Sequence, residues 1–255
     1  MPPSLDDVKQ TWRALGQDDP YWAVVSLPEK RGGKWDVPEF MATGERDVAR
    51  YHEILKNSGG CPAHFRHVLD FGCGVGRLCK AWSQLSDRVT GIDISSTMIE
   101  RGRGLLRECG NVELILNERD DLQCVTAGEF DLVCSLACLQ HMPWPIAVKY
   151  IHEFARLGSS DGWVAFQVPA RQLGSSWSAK LRRTLVDTLP FGLNAAYRRW
   201  RHGSAAVFGM YFTPPSVVLE VAAAAGLKLV HQAPDLTAGE ATEGYFYIFR
   251  QASAK

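Results

Sequence analysis

Apolar and polar positions along this chain fall into two rhythms. Short apolar runs at Val68 to Phe71, Val89 to Ile94, Val112 to Leu116, Phe130 to Ser135 and Trp163 to Val168 have the length and composition of buried strands. Between them, apolar residues recur at helical spacing. One helix is predicted behind Gly76 through about Leu85. A second is capped by Ser95 or Ser96, carries Met98, Leu105 and Leu106, and stops at Gly110. A third has Pro145 in its first turn and runs to Leu157, with Gly158 as its stop. Ahead of the first strand, Val48, Tyr51 and Leu55 predict a helix over Glu45 to Lys56. After the fifth strand, Thr213-Pro214-Pro215 opens a helix from Val217 to Ala225, closed by Gly226. Leu227 to His231 and Tyr245 to Phe249 close the chain as a hairpin-like pair of strands at the sheet edge.

Strands alternating with helices predict an α/β fold: a doubly wound, mainly parallel sheet covered on both faces. Ligands of such sheets gather at the carboxyl ends of the strands, which places Gly72, Asp93, Asp120 and Ser135 along one rim. Two stretches break the rhythm. Residues 1–45 hold Trp12, Tyr21, Trp22 and Trp35 among turn formers, and that many aromatics predict a lead-in packed over a larger body. In residues 170–212, Trp177, Leu181, Leu185 and Leu189 recur every four positions as an amphipathic helix stopped by Pro190. The expected division is therefore an N-terminal lead-in with cap helices over 1–60, then a core over 61–255 with a lid-like insertion at about 170–212.

The turn at Asp70-Phe71-Gly72-Cys73-Gly74-Val75-Gly76 carries the candidate chemistry. Its alternating glycines remove side chains that would hold a ligand off the backbone, and the helix behind it presents unpaired N–H groups. Asp93 follows one strand–helix–strand unit later, where a ribose-binding acid sits in nucleotide-binding sheets. Together they point to a nucleoside-bearing cofactor. Each feature also has a plainer reading: a packing turn, a strand-end acid at Asp93, and a solvated loop at Asp120-Asp121. His141 can be a general base, a pocket wall or a loop-ordering residue.

Charge narrows the partners. With 28 Lys plus Arg against 28 Asp plus Glu, the chain has no overall field drawing it to nucleic acid, and none is expected as a partner. The exception is local, since Arg171 to Arg201 carries seven Lys or Arg against Asp187 alone. That segment reads as a solvated face, as a lid taking an anionic small-molecule acceptor through Arg forks, or as a membrane contact through 176–202. Seven cysteines without C-x-x-C spacing imply reduced thiols and no metal site. Met1 to Gln10 lacks the apolar run of a signal peptide, and no stretch of about 18 apolar residues spans a bilayer, so a cytoplasmic protein is expected.

These motifs, in this order, resemble a class I S-adenosylmethionine-dependent methyltransferase. The resemblance rests on Asp70-x-Gly72-x-Gly74-x-Gly76, Asp93, Arg119-Asp120-Asp121-Leu122, and Phe130 to Ser135 followed by Leu139-Gln140-His141-Met142-Pro143. Trp35-Asp36 through Glu45 and Gly209-Met210-Tyr211 with Pro214-Pro215 resemble a bacterial subgroup of small-molecule type. The resemblance implies a Rossmann-like seven-stranded sheet with an antiparallel last strand, plus an N-terminal and inserted helical cap. It assigns Asp70 and the Gly72-Cys73-Gly74-x-Gly76 turn to the methionine end of S-adenosylmethionine, and Asp93 to the ribose hydroxyls. Ile94 and Met98 would flank the adenine, Asp120 with Arg119 beside it would read the adenine amino group, and the backbone at Ser135 would face the sulfonium. The loop Leu157 to Gly162 lacks the common proline-glycine-glycine, but it lies away from the rim. Two rivals stand beside this reading. A nicotinamide-dependent oxidoreductase would want G-x-G-x-x-G where this turn reads G-x-G-x-G, and a non-catalytic cofactor-binding partner protein would keep the site without the chemistry.

Overall fold

Seven strands form one sheet in the order β3-β2-β1-β4-β5-β7-β6. In the computed structural model, which describes residues 3–173, 209–239 and 241–251, they are β1 (Phe65–Phe71), β2 (Ser86–Asp93), β3 (Val112–Leu116), β4 (Phe130–Ser135), β5 (Gly158–Gln172), β6 (Leu227–Asp235) and β7 (Thr242–Gln251). The first five run parallel, whereas β7 is antiparallel to both β5 and β6. Strand order reverses between β1 and β4, and a crevice opens beyond the strand ends at such a reversal.

Successive residues of β1 point to opposite faces, and both faces are covered. Val68 joins Val89, Leu132 and Trp163 in one core, under α3 (Val37–Asn57), α4 (Arg77–Trp82) and α5 (Ser96–Leu105). Leu69 joins Val133, Val164 and Phe166 in the other, under α6 (Trp144–Leu157) and α7 (Pro215–Ala224). Double burial explains why these strands read as continuous apolar runs rather than alternating ones.

Several boundaries differ from the sequence expectation, each for a local reason. Helix α3 begins at Val37 rather than Glu45, because Asp36 accepts the Glu39 N–H as an N-cap and Pro38 occupies the first turn. Gly44 inside it marks a close crossing, since a Cβ there would lie 2.4 Å from the carbonyl oxygen of Arg77 in α4. Gly158 does end α6, but the chain passes straight into β5, which is longer than the predicted Trp163 to Val168. The aromatic lead-in contains α1 (Leu5–Asp18), fixed by a reciprocal Ser4–Asp7 capping box, and α2 (Pro20–Val24). Trp12, Tyr21 and Trp22 pack against the first core, and Trp35 meets Phe40 of α3 edge-on.

The predicted helix from Trp177 to Leu189, the basic segment 176–202 and most of the lid-like insertion lie outside the described residues. Among the described residues no helix is long and apolar enough to cross a membrane, and no group of side chains is suited to hold a metal ion.

The α3–α4 crossing is directly testable. Gly44→Ala is expected to cost about 1–3 kcal/mol of unfolding free energy, as overpacking does against backbone that has little room to move. Urea unfolding measures it; a wild-type midpoint would show that the two helices do not meet there.

Candidate active site

The crevice is built from the glycine turn upward. Gly72, Gly74 and Gly76 have φ values of 77°, 55° and 81°, in the left-handed region that glycine enters without penalty. The N–H groups of Gly72 and Cys73 both donate to the carbonyl of Ile92, at 2.8 and 3.0 Å, tying the turn to the end of β2. Beside it, Asp93 Oδ2 accepts from Gly74 N–H at 2.8 Å and Oδ1 from Ser95 N–H at 2.8 Å. Burial raises the Asp93 carboxyl pKa, while those backbone donors pull it down. Each carboxylate oxygen has two lone pairs, so both keep acceptor capacity beyond these bonds.

An open cavity of about 960 Å³, counting its mouth, lies against the turn, a size suited to a small-molecule ligand. Gly72, Cys73, Gly74, Asp93, Ile94 and Met98 form one side. Leu136, Ala137, Cys138, His141, Met142 and Tyr150 form the other, and α1 and α2 roof it with Leu5, Val8, Trp12, Ala23 and Val24. The roof is tethered at α5: Ser95 Oγ donates to the Trp12 carbonyl at 3.1 Å and Thr97 Oγ1 to that of Arg13 at 3.2 Å. The turn also touches the opposite wall, since a Cβ on Gly72 would fall 2.2 Å from Cys138 Sγ. Ala137 there holds a positive φ of 53°, a strained conformation for a residue with a Cβ.

The other residues singled out in the sequence are placed differently. Asp70 lies beneath the turn, 1% exposed, and does not line the cavity. Cys79 donates to its Oδ2 at 3.2 Å, Oδ1 has no partner among the described residues, and burial lifts its pKa to about 6. Gly76 is a packing glycine, since a Cβ would meet Leu106 Cδ1 at 2.4 Å. Ser135 is fully buried at the end of β4, and the cavity wall begins one residue later, at Leu136. Arg119 and Asp120 stand outside the cavity. Arg119 forks onto Asp121, and Asp120 is drawn outward by Lys149 of α6. Asn117 lines the cavity in that region and shapes the loop, its Nδ2 donating to the carbonyls of Arg119 at 3.1 Å and Asp121 at 2.8 Å.

His141 lies in the wall, against the Trp12 ring at 5.3 Å between centroids. Its Nδ1 is 2.9 Å from the carbonyl of Gly209, which can only accept, so Nδ1 carries the hydrogen. In the neutral ring Nε2 then accepts from the Gln140 amide, 3.1 Å away. Burial pushes the His141 pKa down to about 4. The Gly209–Thr213 stretch runs along this side, with Tyr211 N–H donating to Gln140 at 2.8 Å and Thr213 N–H to Pro169 at 2.9 Å.

Arg77, Trp12 and Tyr150 are among the wall residues that were not singled out for the site from the sequence. Arg77, 7% exposed, reaches Asp47 Oδ2 at 2.5 Å and Thr43 Oγ1 at 3.1 Å through Nη1. Its position directly after Gly76 was the available signal. Trp12 belonged to the aromatic lead-in, which was expected as a cap over the body without any of its residues being assigned to the site. Tyr150, whose hydroxyl donates to the Arg119 carbonyl at 2.7 Å, reads from sequence as a core residue of α6.

Residues 68–162 match the family model described as "Methyltransferase domain". The chain is 36% identical over 115 residues to the ubiquinone biosynthesis O-methyltransferase of Thiobacillus denitrificans, covering 45% of this chain and 49% of that protein. It is 30% identical over 145 residues to the protein of the same name from Salmonella paratyphi A, covering 56% and 58%. The chain thus spans about half the length of the curated relatives it matches. Among solved structures, magnesium protoporphyrin IX methyltransferase from Synechocystis, with S-adenosylhomocysteine bound, superposes with a TM-score of 0.63 at 18% identity over 97% of this chain and 100% of that one. The [4+2]-cyclase SpnF superposes with a TM-score of 0.64 at 13% identity over 99% and 98%. Both show the same fold.

The contact between turn and wall yields a test that needs no ligand. Gly72→Ala is expected to destabilise by about 1–2 kcal/mol for the left-handed backbone, and further for the collision with Cys138. In a double-mutant cycle with Cys138→Gly the collision part is recovered. Simple additivity in denaturant unfolding would show that the sulfur does not rest on the turn.

Proposed function

We propose that the core of the chain is a class I S-adenosylmethionine-dependent methyltransferase domain, and that the protein transfers a methyl group from S-adenosylmethionine to a hydroxyl of a small-molecule acceptor; the match of residues 68–162 to a methyltransferase domain and the shared fold support this reading. The observation that carries this reading is the convergence of a bare glycine turn and the Asp93 carboxylate on one apolar cavity. The groups present fit the cofactor. The remaining lone pairs of Asp93 suit two ribose hydroxyls, Ile94 and Met98 offer an apolar slot for adenine, and Gly72, Cys73 and Gly74 let the methionine approach backbone. Asp70 supports the turn from beneath. The loop of Arg119 and Asp120 borders the adenine side through Asn117, and Asp120 turns inward only by releasing Lys149.

When bound, the cofactor supplies an electrophilic methyl group on a sulfonium. The protein holds the acceptor in line and keeps water out with the apolar roof of α1 and α2, and positioning of this kind lowers the barrier without acid–base help. A base is required only where the acceptor oxygen starts protonated with a high pKa. His141 is the candidate on that side: it can take a proton at Nε2 once the Gln140 amide swings aside. The names of the relatives, both O-methyltransferases, support oxygen as the accepting atom. Seven unpaired thiols support a reducing, cytoplasmic setting. The cyclase likeness supports one rival, a cofactor-binding scaffold that does other chemistry, because fold alone does not fix function.

Isothermal titration with S-adenosylhomocysteine tests the reading. Wild-type protein is expected to bind, and Asp93→Ala to weaken binding at least about 100-fold, the loss of two hydrogen bonds to a charged group. Asp93→Asn, which keeps the side-chain shape, guards against simple unfolding; undiminished affinity in both variants would remove the assignment. Transfer of radiolabel from the cofactor to acceptor separates the enzyme from the scaffold. A pH profile tests His141. Because its pKa lies near 4, the ring stays neutral and kcat/KM should not fall on its account from about pH 8 to about pH 5.5. A limb near pH 6.5 that vanishes in His141→Gln would contradict the buried, neutral ring.

A further inference from the structure

Asn117 stands first after β3, and its backbone N–H donates to the Asp93 carbonyl at 2.9 Å, so the two residues are neighbours on adjacent strand ends. It is buried and lines the cavity. The carboxamide is oriented by what lies behind it. Nδ2 donates to the carbonyls of Arg119 and Asp121, at 3.1 and 2.8 Å, and a backbone carbonyl can only accept. The end of the amide that faces the loop is therefore the nitrogen, and the oxygen faces away from it. Oδ1 has no partner among the described residues, yet it is not sealed inside the protein. The space open to it is the cavity.

The carbonyl of Arg119 carries a second anchor. The hydroxyl of Tyr150 on α6 donates to it at 2.7 Å, while the Tyr150 ring lies in the cavity wall, 4.4 Å from that of Phe71 between centroids. Helix α6 grips the same loop again at Leu122, whose N–H donates to Glu153 at 2.8 Å and whose carbonyl accepts from Arg156 at 3.0 Å. The loop is thus held from outside. Flipping the Asn117 amide would break two bonds and set its oxygen against two carbonyls. Order along the rim completes the picture. The glycine turn follows β1, Asp93 ends β2 and Asn117 follows β3, and these three strands are adjacent in the sheet. Asp120, by contrast, is drawn outward by Lys149.

We propose that Asn117 is the base-selecting residue of the cofactor site, in the role the resemblance gives to Asp120, and that Tyr150 is its positioning residue. This rests on the methyltransferase reading, in which the turn takes the methionine end and Asp93 the ribose. The base is then next in line, at Asn117. A fixed amide oxygen accepts from the 6-amino group of adenine. It repels a 6-oxo group, which would bring one acceptor against another.

The experiment titrates S-adenosylhomocysteine and S-inosylhomocysteine calorimetrically, a 6-aminopurine against its 6-oxo counterpart. Wild-type protein is expected to bind the adenosyl form at least about tenfold more tightly, the effect of one mismatched polar contact in a buried site. Asn117→Ala should bring that ratio to within about threefold of unity, and Asn117→Leu repeats the measurement with the side-chain bulk kept. Tyr150→Phe, which keeps the ring, should lower the ratio by about threefold, whereas Asp120→Ala should leave it as in wild type. The ratio decides, because a loosened fold weakens both ligands alike and leaves it unchanged. Equal affinity of wild type for the two ligands overturns the proposal. So does a wild-type ratio in both Asn117 variants, or a collapsed one in Asp120→Ala. An unchanged ratio in Tyr150→Phe overturns the positioning role. Wild-type protein that binds neither ligand removes the methyltransferase reading itself.

Discussion

The hydrogen bond from the Gly74 amide to Asp93 is the contact on which the site depends. It joins the turn after β1 to the end of the neighbouring β2, and it forms only because three glycines let the turn double back with positive φ. A side chain at Gly72 would strike Cys138, and one at Gly76 would strike Leu106. The turn is thus constrained from the cavity side and from the core side together. Buried Asp70, with Cys79 donating to it, completes the support from below.

Around that contact the molecule divides its work. The sheet supplies a rigid rim whose strand ends arrive in a fixed order. Helix α1, outside the sheet, closes the cavity from above with Leu5, Val8 and Trp12. The far wall is irregular chain, from strained Ala137 through His141 to the Gly209–Thr213 stretch. Strand ends thus hold one side of the cavity and irregular chain the other, an arrangement that lets one scaffold serve many ligands.

Much of this was legible in the residues. Apolar runs bounded by turn formers located the five parallel strands, and the spacing from the glycine turn to Asp93 located the crevice, because both follow from backbone geometry that only certain residues permit. What sequence could not supply was the direction of side chains on irregular segments. Asp120 and Asn117 lie three residues apart in one polar loop, and nothing local shows that Lys149 draws the acid outward while the amide turns in. The early start of α3 was hidden for a related reason: Gly44 weakens a helical pattern in sequence, yet in space it lets α3 cross Arg77.

Ser95 belongs to two networks at once. Its amide holds Asp93, and its hydroxyl holds the backbone of α1 at Trp12. Lifting the N-terminal helix therefore breaks a bond two residues along the chain from Asp93, and disturbing that carboxylate loosens the helix. The carboxylate and the roof are thus mechanically coupled through Ser95, so whatever engages Asp93 is felt at the amino-terminal helix as well.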